Sequence, residues 1–121
     1  MANLLIMEDE VLVCRALKDS LESAGHQVTL ALDGSDGSRL AASGQFDLAI
    51  IDIFMPIQDG IATIMELKKS QPSLKVIAIS GGGALVNEYD YLEYAEAMGA
   101  IQCFYKPIDT EELLSCIKAN T

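Results

Sequence analysis

Four places along the chain carry residues whose types could do chemistry: the acidic run Glu8-Asp9-Glu10, a carboxylate at Asp52, a hydroxyl at Ser80 and an ammonium at Lys106. Three carboxylates gathered in one pocket repel one another and raise each other's proton affinity unless a cation neutralises them. A hard divalent ion suits oxygen donors. Magnesium keeps several waters and takes phosphate oxygens as ligands, so two or three carboxylates open to solvent fit it better than a closed cage. A lysine and a hydroxyl beside such an ion point to phosphate chemistry. These residues are far apart in the chain, so the chemistry depends on a fold that gathers them.

The pattern of apolar runs supplies one. Short apolar runs at 4–7, 28–31, 48–51, 76–79 and 101–105 have the length of strands, and four of them read as buried on both faces. Helical stretches lie between and after them at 11–24, 35–43, 61–70, about 87–98 and 110–119. Gly25 and Gly99 stand where helices would stop, Pro72 follows the third, and Asp109 with Glu112 resembles a capping box. Fivefold β-α alternation implies a parallel sheet with helices on both faces, because each parallel crossover needs a connecting helix. The expected fold is therefore α/β, a three-layer, doubly wound, five-stranded sheet forming one domain over 1–121.

Every chemically interesting residue falls after a strand: Glu8, Asp9 and Glu10 after the first, Asp52 after the third, Ser80 after the fourth, Lys106 after the fifth. Open α/β sheets bind ligands outside the carboxyl ends of their strands, where the strand order reverses. The order 2-1-3-4-5 would set the first and third strands side by side there and bring Glu8, Asp9 and Asp52 together.

Composition narrows the function further. The 121 residues carry a formal charge of −10 and are 50% apolar, enough for one hydrophobic core. Such acidity repels phosphate backbones and anionic headgroups, which argues against direct nucleic-acid or membrane binding. The run at 4–7 lacks a basic leader and meets acids at once, so it reads as a strand and not as a signal peptide; a cytoplasmic protein is expected. Cys14, Cys103 and Cys116 are an odd number without metal-site spacing and read as reduced, packed thiols. Gly81-Gly82-Gly83 lacks the Gly-Lys-Ser/Thr that would make a phosphate loop. His26, after a helix-stopping glycine, reads as a loop or strand-edge residue.

With these features in place, the whole chain resembles the receiver domain of two-component response regulators. The resemblance rests on LLIMEDE at 4–10, on DLAIIDIFMPIQDG at 47–60 with Asp52, Met55-Pro56 and Asp59-Gly60, on VIAIS at 76–80, and on Lys106-Pro107. It implies a flavodoxin-like receiver fold of order 2-1-3-4-5, with Asp52 as phosphoacceptor and catalytic roles for Ser80 and Lys106. It also implies a magnesium site made by Glu8, Asp9, Asp52 and the backbone carbonyl of Phe54, with Glu10 the weaker candidate. Phosphate would come from a sensor histidine kinase or a histidine phosphotransfer protein. The output would run to a downstream protein effector through a face around the 87–98 helix, the fifth strand and the last helix. The resemblance further suggests a stand-alone signalling switch that catalyses only its own phosphorylation and dephosphorylation.

Three departures from the family pattern stand out. Many receivers carry Tyr or Phe three residues before the lysine, where this chain has Cys103; Tyr105 shares its strand face and is the candidate replacement, with plain edge packing as the alternative. Glu8 stands where Asp is commoner. The stretch from Ser80 to Lys106 is several residues long for the family, and it holds an acidic, aromatic segment with Tyr89, Tyr91 and Tyr94. A haloacid-dehalogenase-type hydrolase would need a second acid at Phe54, and a flavin carrier would not place acids after the first strand. A phosphorylation-independent interaction module with the receiver fold remains the competing reading.

Overall fold

The structure is a computed structural model that describes residues 1–44, 46–53, 60–80, 93 and 95–121. Its elements are β1 (Asn3–Met7), α1 (Val11–Ser23), β2 (Gln27–Ala31), α2 (Gly34–Ser43), β3 (Leu48–Asp52), α3 (Gly60–Ser70), β4 (Lys75–Ser80), β5 (Ala100–Tyr105) and α4 (Thr110–Asn120). Of the helix expected at about 87–98, residues 93 and 95–97 are described and helical. The glycine triplet, Tyr89, Tyr91, Tyr94 and the Phe54 carbonyl lie outside the described residues.

All five strands are parallel, in the order β2-β1-β3-β4-β5. Alternate side chains of each strand feed opposite faces of the sheet. On one face Leu5, Met7, Ala49, Ile51, Val76 and Ala78 pack with Ala41 of α2 and Ile64 and Leu67 of α3. On the other, Leu4, Ile6, Leu48, Ile50, Ile77 and Ile79 pack with Leu17 and Leu21 of α1 and Leu113 and Ile117 of α4. Each fully buried leucine or isoleucine contributes about 1.5–3 kcal/mol. The central strands are therefore the stiff frame of the molecule.

Three strands, not four, are buried on both faces. β1, β3 and β4 are covered throughout apart from their first residues, Asn3 and Lys75, whereas β2 is half-buried and β5 exposes Ile101, Gln102 and Tyr105. Both are edge strands with a single neighbour, so helices cannot cover them as fully as the middle of the sheet.

The expected punctuation is present. Gly25 and Gly99 adopt φ of 96° and 120°, which side chains rarely tolerate, and a Cβ at Gly99 would meet the stem of Lys68 at 3.0 Å. Asp109 caps α4 by accepting from the N–H groups of Glu111 at 3.0 Å and Glu112 at 3.3 Å. Asp33 caps α2 through the N–H of Asp36 at 2.8 Å.

Candidate functional site

The strand order decides where the polar residues meet. The strand order reverses between β1 and β3, and Met7 pairs with Ile51, so Glu8 and Asp52, the next residues along these two parallel strands, stand at the same level. Asp52 pairs with Ile79, leaving Ser80 one residue further on the adjacent strand. Ser80 pairs with Tyr105, and the Lys106 N–H donates to the Ser80 carbonyl at 2.8 Å. Glu8, Asp9, Asp52, Ser80 and Lys106 thus share the carboxyl edge of the sheet, as the sequence suggested.

Glu8, Asp9 and Asp52 each offer a carboxylate oxygen within 4.8 Å of the other two. Glu8 is fully buried and Asp52 nearly so, while Asp9 opens to solvent. The pocket therefore has a deep acidic floor and a hydrated lip.

Among the described residues, one cation reaches this floor. Lys106 Nζ is ion-paired to Glu8 and stands 3.1 Å from Asp52 Oδ2 and 3.5 Å from Glu10 Oε1. A single ammonium cannot balance three or four carboxylates. Burial, then the shared hydrogen bond with Asp52, pushes the Glu8 carboxyl up to about 8, although Lys106 works in the opposite direction. Burial disfavours the charge on Lys106, but its bonds to Glu8 and Asp52 outweigh this and hold the ammonium above the ordinary lysine range.

Two neighbours complete the site. The Cys14 thiol, fully buried on α1, donates to the backbone carbonyl of Glu8 at 3.0 Å. Burial, followed by the charges of Glu8 and Asp9, pushes that thiol up to about 11. Ser80 Oγ is completely buried and finds no hydrogen-bond partner among the described residues. A buried hydroxyl left in this state is unfavourable by about 1–3 kcal/mol, which makes it a donor waiting for an acceptor.

The convergence of Glu8, Asp9 and Asp52 was expected from the sequence, but their pairing with other groups was not. Sequence reasoning did not foresee the Glu8 to Lys106 ion pair, the approach of Glu10 to Lys106 or the Cys14 bond. Glu10 lies outside the three-carboxylate group. On β5, Cys103 is half-buried against the α2 and α3 side of the core, Phe104 packs on the other face, and Tyr105, in register with Ser80, is 40% exposed. Burial, with Glu96 nearby, pushes the Cys103 thiol up to about 12. Cys14, Cys103 and Cys116 are in no disulfide, and among the described residues no helix is long and apolar enough to cross a membrane.

Comparison with known proteins agrees with this geometry. The response regulator receiver domain family matches residues 4–118, and the chain belongs to that family. It is 31% identical to the uncharacterized transcriptional regulatory protein YkoG of Bacillus subtilis over 97% of this chain and 50% of that protein. It is 32% identical to the DNA-binding transcriptional regulator NtrC of Azospirillum brasilense over 97% of this chain and 24% of the relative. The chain spans about half or less of these relatives' lengths. Among solved structures, a response regulator receiver domain protein from Clostridium thermocellum superposes with a TM-score of 0.91 at 28% identity, covering 99% of this chain and 94% of that one. A CheY-like receiver domain protein from Methanospirillum hungatei gives 0.89 at 26% identity, covering 98% and 92%. The chain is thus a receiver domain of two-component signalling.

Proposed function

We propose that this receiver is a cytoplasmic phosphoacceptor switch that takes a phosphoryl group from a phosphohistidine onto Asp52 with the help of magnesium. The observation that carries this reading is the Asp52 carboxylate, nearly buried, flanked by Glu8 and Asp9, with Lys106 at 3.1 Å and the Ser80 hydroxyl, unpartnered among the described residues, on the next strand.

The donor set fits a hard divalent ion: oxygen ligands, excess negative charge, and one exposed side at Asp9. Glu8, Asp9 and Asp52 would hold it, and the Phe54 carbonyl is the further ligand expected from the family. When bound, magnesium would neutralise phosphate charge in the transition state.

The remaining work falls to the chain's own groups. An Asp52 oxygen bonds to phosphorus as the bond from phosphorus to the donor's imidazole nitrogen breaks, the electron pair staying on that nitrogen. Lys106 pairs with a phosphoryl oxygen in exchange for its carboxylate partners, and the Ser80 hydroxyl donates to another. Loss of the lysine from Glu8 and capture of Ser80 change the β4 and β5 ends, which would carry the signal to a protein effector. Water later cleaves the acyl phosphate, so the domain processes only its own phosphoryl group.

Beryllofluoride, which mimics the phosphoryl group on a carboxylate, tests the reading by NMR. With magnesium, the amide signals around Asp52, Ser80 and Lys106 should shift. An unchanged spectrum would favour a receiver fold that binds its partner without phosphorylation.

A further inference from the structure

We propose that Glu10 is a positioning residue that restrains Lys106 at the mouth of the acidic pocket and competes with the incoming phosphoryl group for its ammonium, slowing the loading of Asp52. The inference rests on the phosphoacceptor reading above.

Two observations carry it. Glu10 is the N-cap of α1, with extended backbone at φ −82° and ψ 110°, yet its side chain makes no cap hydrogen bond. Its backbone carbonyl alone starts the helix, accepting from Cys14 N–H at 3.0 Å. Short polar side chains at this position fold back onto the helix amides, whereas this longer carboxylate reaches across to Lys106, Oε1 to Nζ 3.5 Å.

The second observation is the division of labour among the acids. Glu8 and Asp52 hold Lys106 from below, so Glu10 adds a separate pull on the ammonium from the mouth of the pocket. Its side chain is 64% exposed, against 14% for that of Lys106, so it draws the ammonium towards solvent. It also stands outside the group that would hold a cation. A divalent ion that engages Glu8 and Asp52 therefore leaves Glu10 as the lysine's remaining partner among the described residues, at the moment when phosphoryl oxygens need that charge.

An exposed ion pair is worth at most about 1 kcal/mol, so releasing the lysine should speed phosphorylation by about two- to fivefold. The test is the rate of phosphorylation by acetyl phosphate at saturating magnesium, followed by intact mass for wild type, Glu10→Gln, Lys106→Met and the double variant. Glu10→Gln should be faster than wild type, and the gain should vanish in the Lys106→Met background. Equal acceleration in both backgrounds would mean a general charge effect and overturn the inference, as would no acceleration or slower loading. If wild type loads and Glu10→Gln matches it, the inference alone fails. If wild type gains no phosphoryl mass, the phosphoacceptor reading fails and the inference falls with it.

Discussion

Lys106 Nζ lies 3.1 Å from Asp52 Oδ2 although 54 residues separate the two in the chain. The proximity follows from topology: β3 and β5 flank β4, and both residues stand at the carboxyl ends of their strands. The same ammonium is ion-paired to Glu8, 98 residues away, so three distant segments are joined by one side chain. Any group that takes Lys106 from its carboxylates must reorganise all three.

Ser80→Ala separates structure from response. The Ser80 hydroxyl is buried and unpartnered among the described residues, so its removal should leave stability within about 0.5 kcal/mol of wild type or raise it slightly. Beryllofluoride affinity should fall by about tenfold, the loss of one hydrogen bond to a charged acceptor. Urea unfolding and a beryllofluoride titration measure the two. A large loss of stability with unchanged affinity would assign Ser80 to the core instead.

Magnesium should stabilise the fold because it neutralises a crowded acidic floor. At a hundred times its dissociation constant, a ligand of the native state adds about 2.7 kcal/mol. Asp9→Asn removes the exposed carboxylate of the group and should shrink the magnesium-induced rise in melting temperature by more than half. Without metal the variant should melt no lower than wild type, since one repulsive charge is gone. Thermal melts with magnesium and with chelator check both statements.

Gly99→Ala should destabilise by about 1–3 kcal/mol, read by urea unfolding. The backbone at φ 120° disfavours a side chain, and the new methyl would meet Lys68, whose ammonium bonds the carbonyls of Pro72 at 2.9 Å and Leu74 at 3.0 Å. A neutral outcome would show that this turn relaxes freely.

Cys103 should be slow to alkylate. Its pKa is raised from an ordinary 9.0 to about 12 by burial and by Glu96, so at pH 8 its thiolate is scarce, and labelling should run at least about a hundredfold slower than in denaturant. The sign of the linked stability follows. The native state holds the proton more tightly than the unfolded chain, so the contribution is complete below pH 9 and is lost as pH rises through about 12. Peptide-resolved labelling against pH reads the titration, and an inflection near 9 would contradict it.

Much of this was legible in the sequence because a parallel α/β sheet writes itself plainly. Leu48 to Ile51 is an apolar run ended by Asp52, and such an ending marks both the strand and its carboxyl end. Burial at the edges was less legible. Val28 to Ala31 is apolar apart from Thr29, and only the order of strands reveals that β2 has one neighbour. The depth of Glu8 was hidden as well, since a glutamate between Met7 and Asp9 reads as solvent-facing until Lys106 is known to meet it. Cys14 gave no signal of contact with the site. Its bond to the Glu8 carbonyl depends on how α1 packs after the turn at 8–10.

The most direct measurement of the central claim is intact-mass spectrometry after incubation with magnesium and acetyl phosphate, run beside Asp52→Asn and a magnesium-free control. Wild type with metal should gain one phosphoryl mass, and neither control should. A gain in Asp52→Asn equal to that of wild type, or no gain in any sample, would contradict Asp52 as the phosphoacceptor.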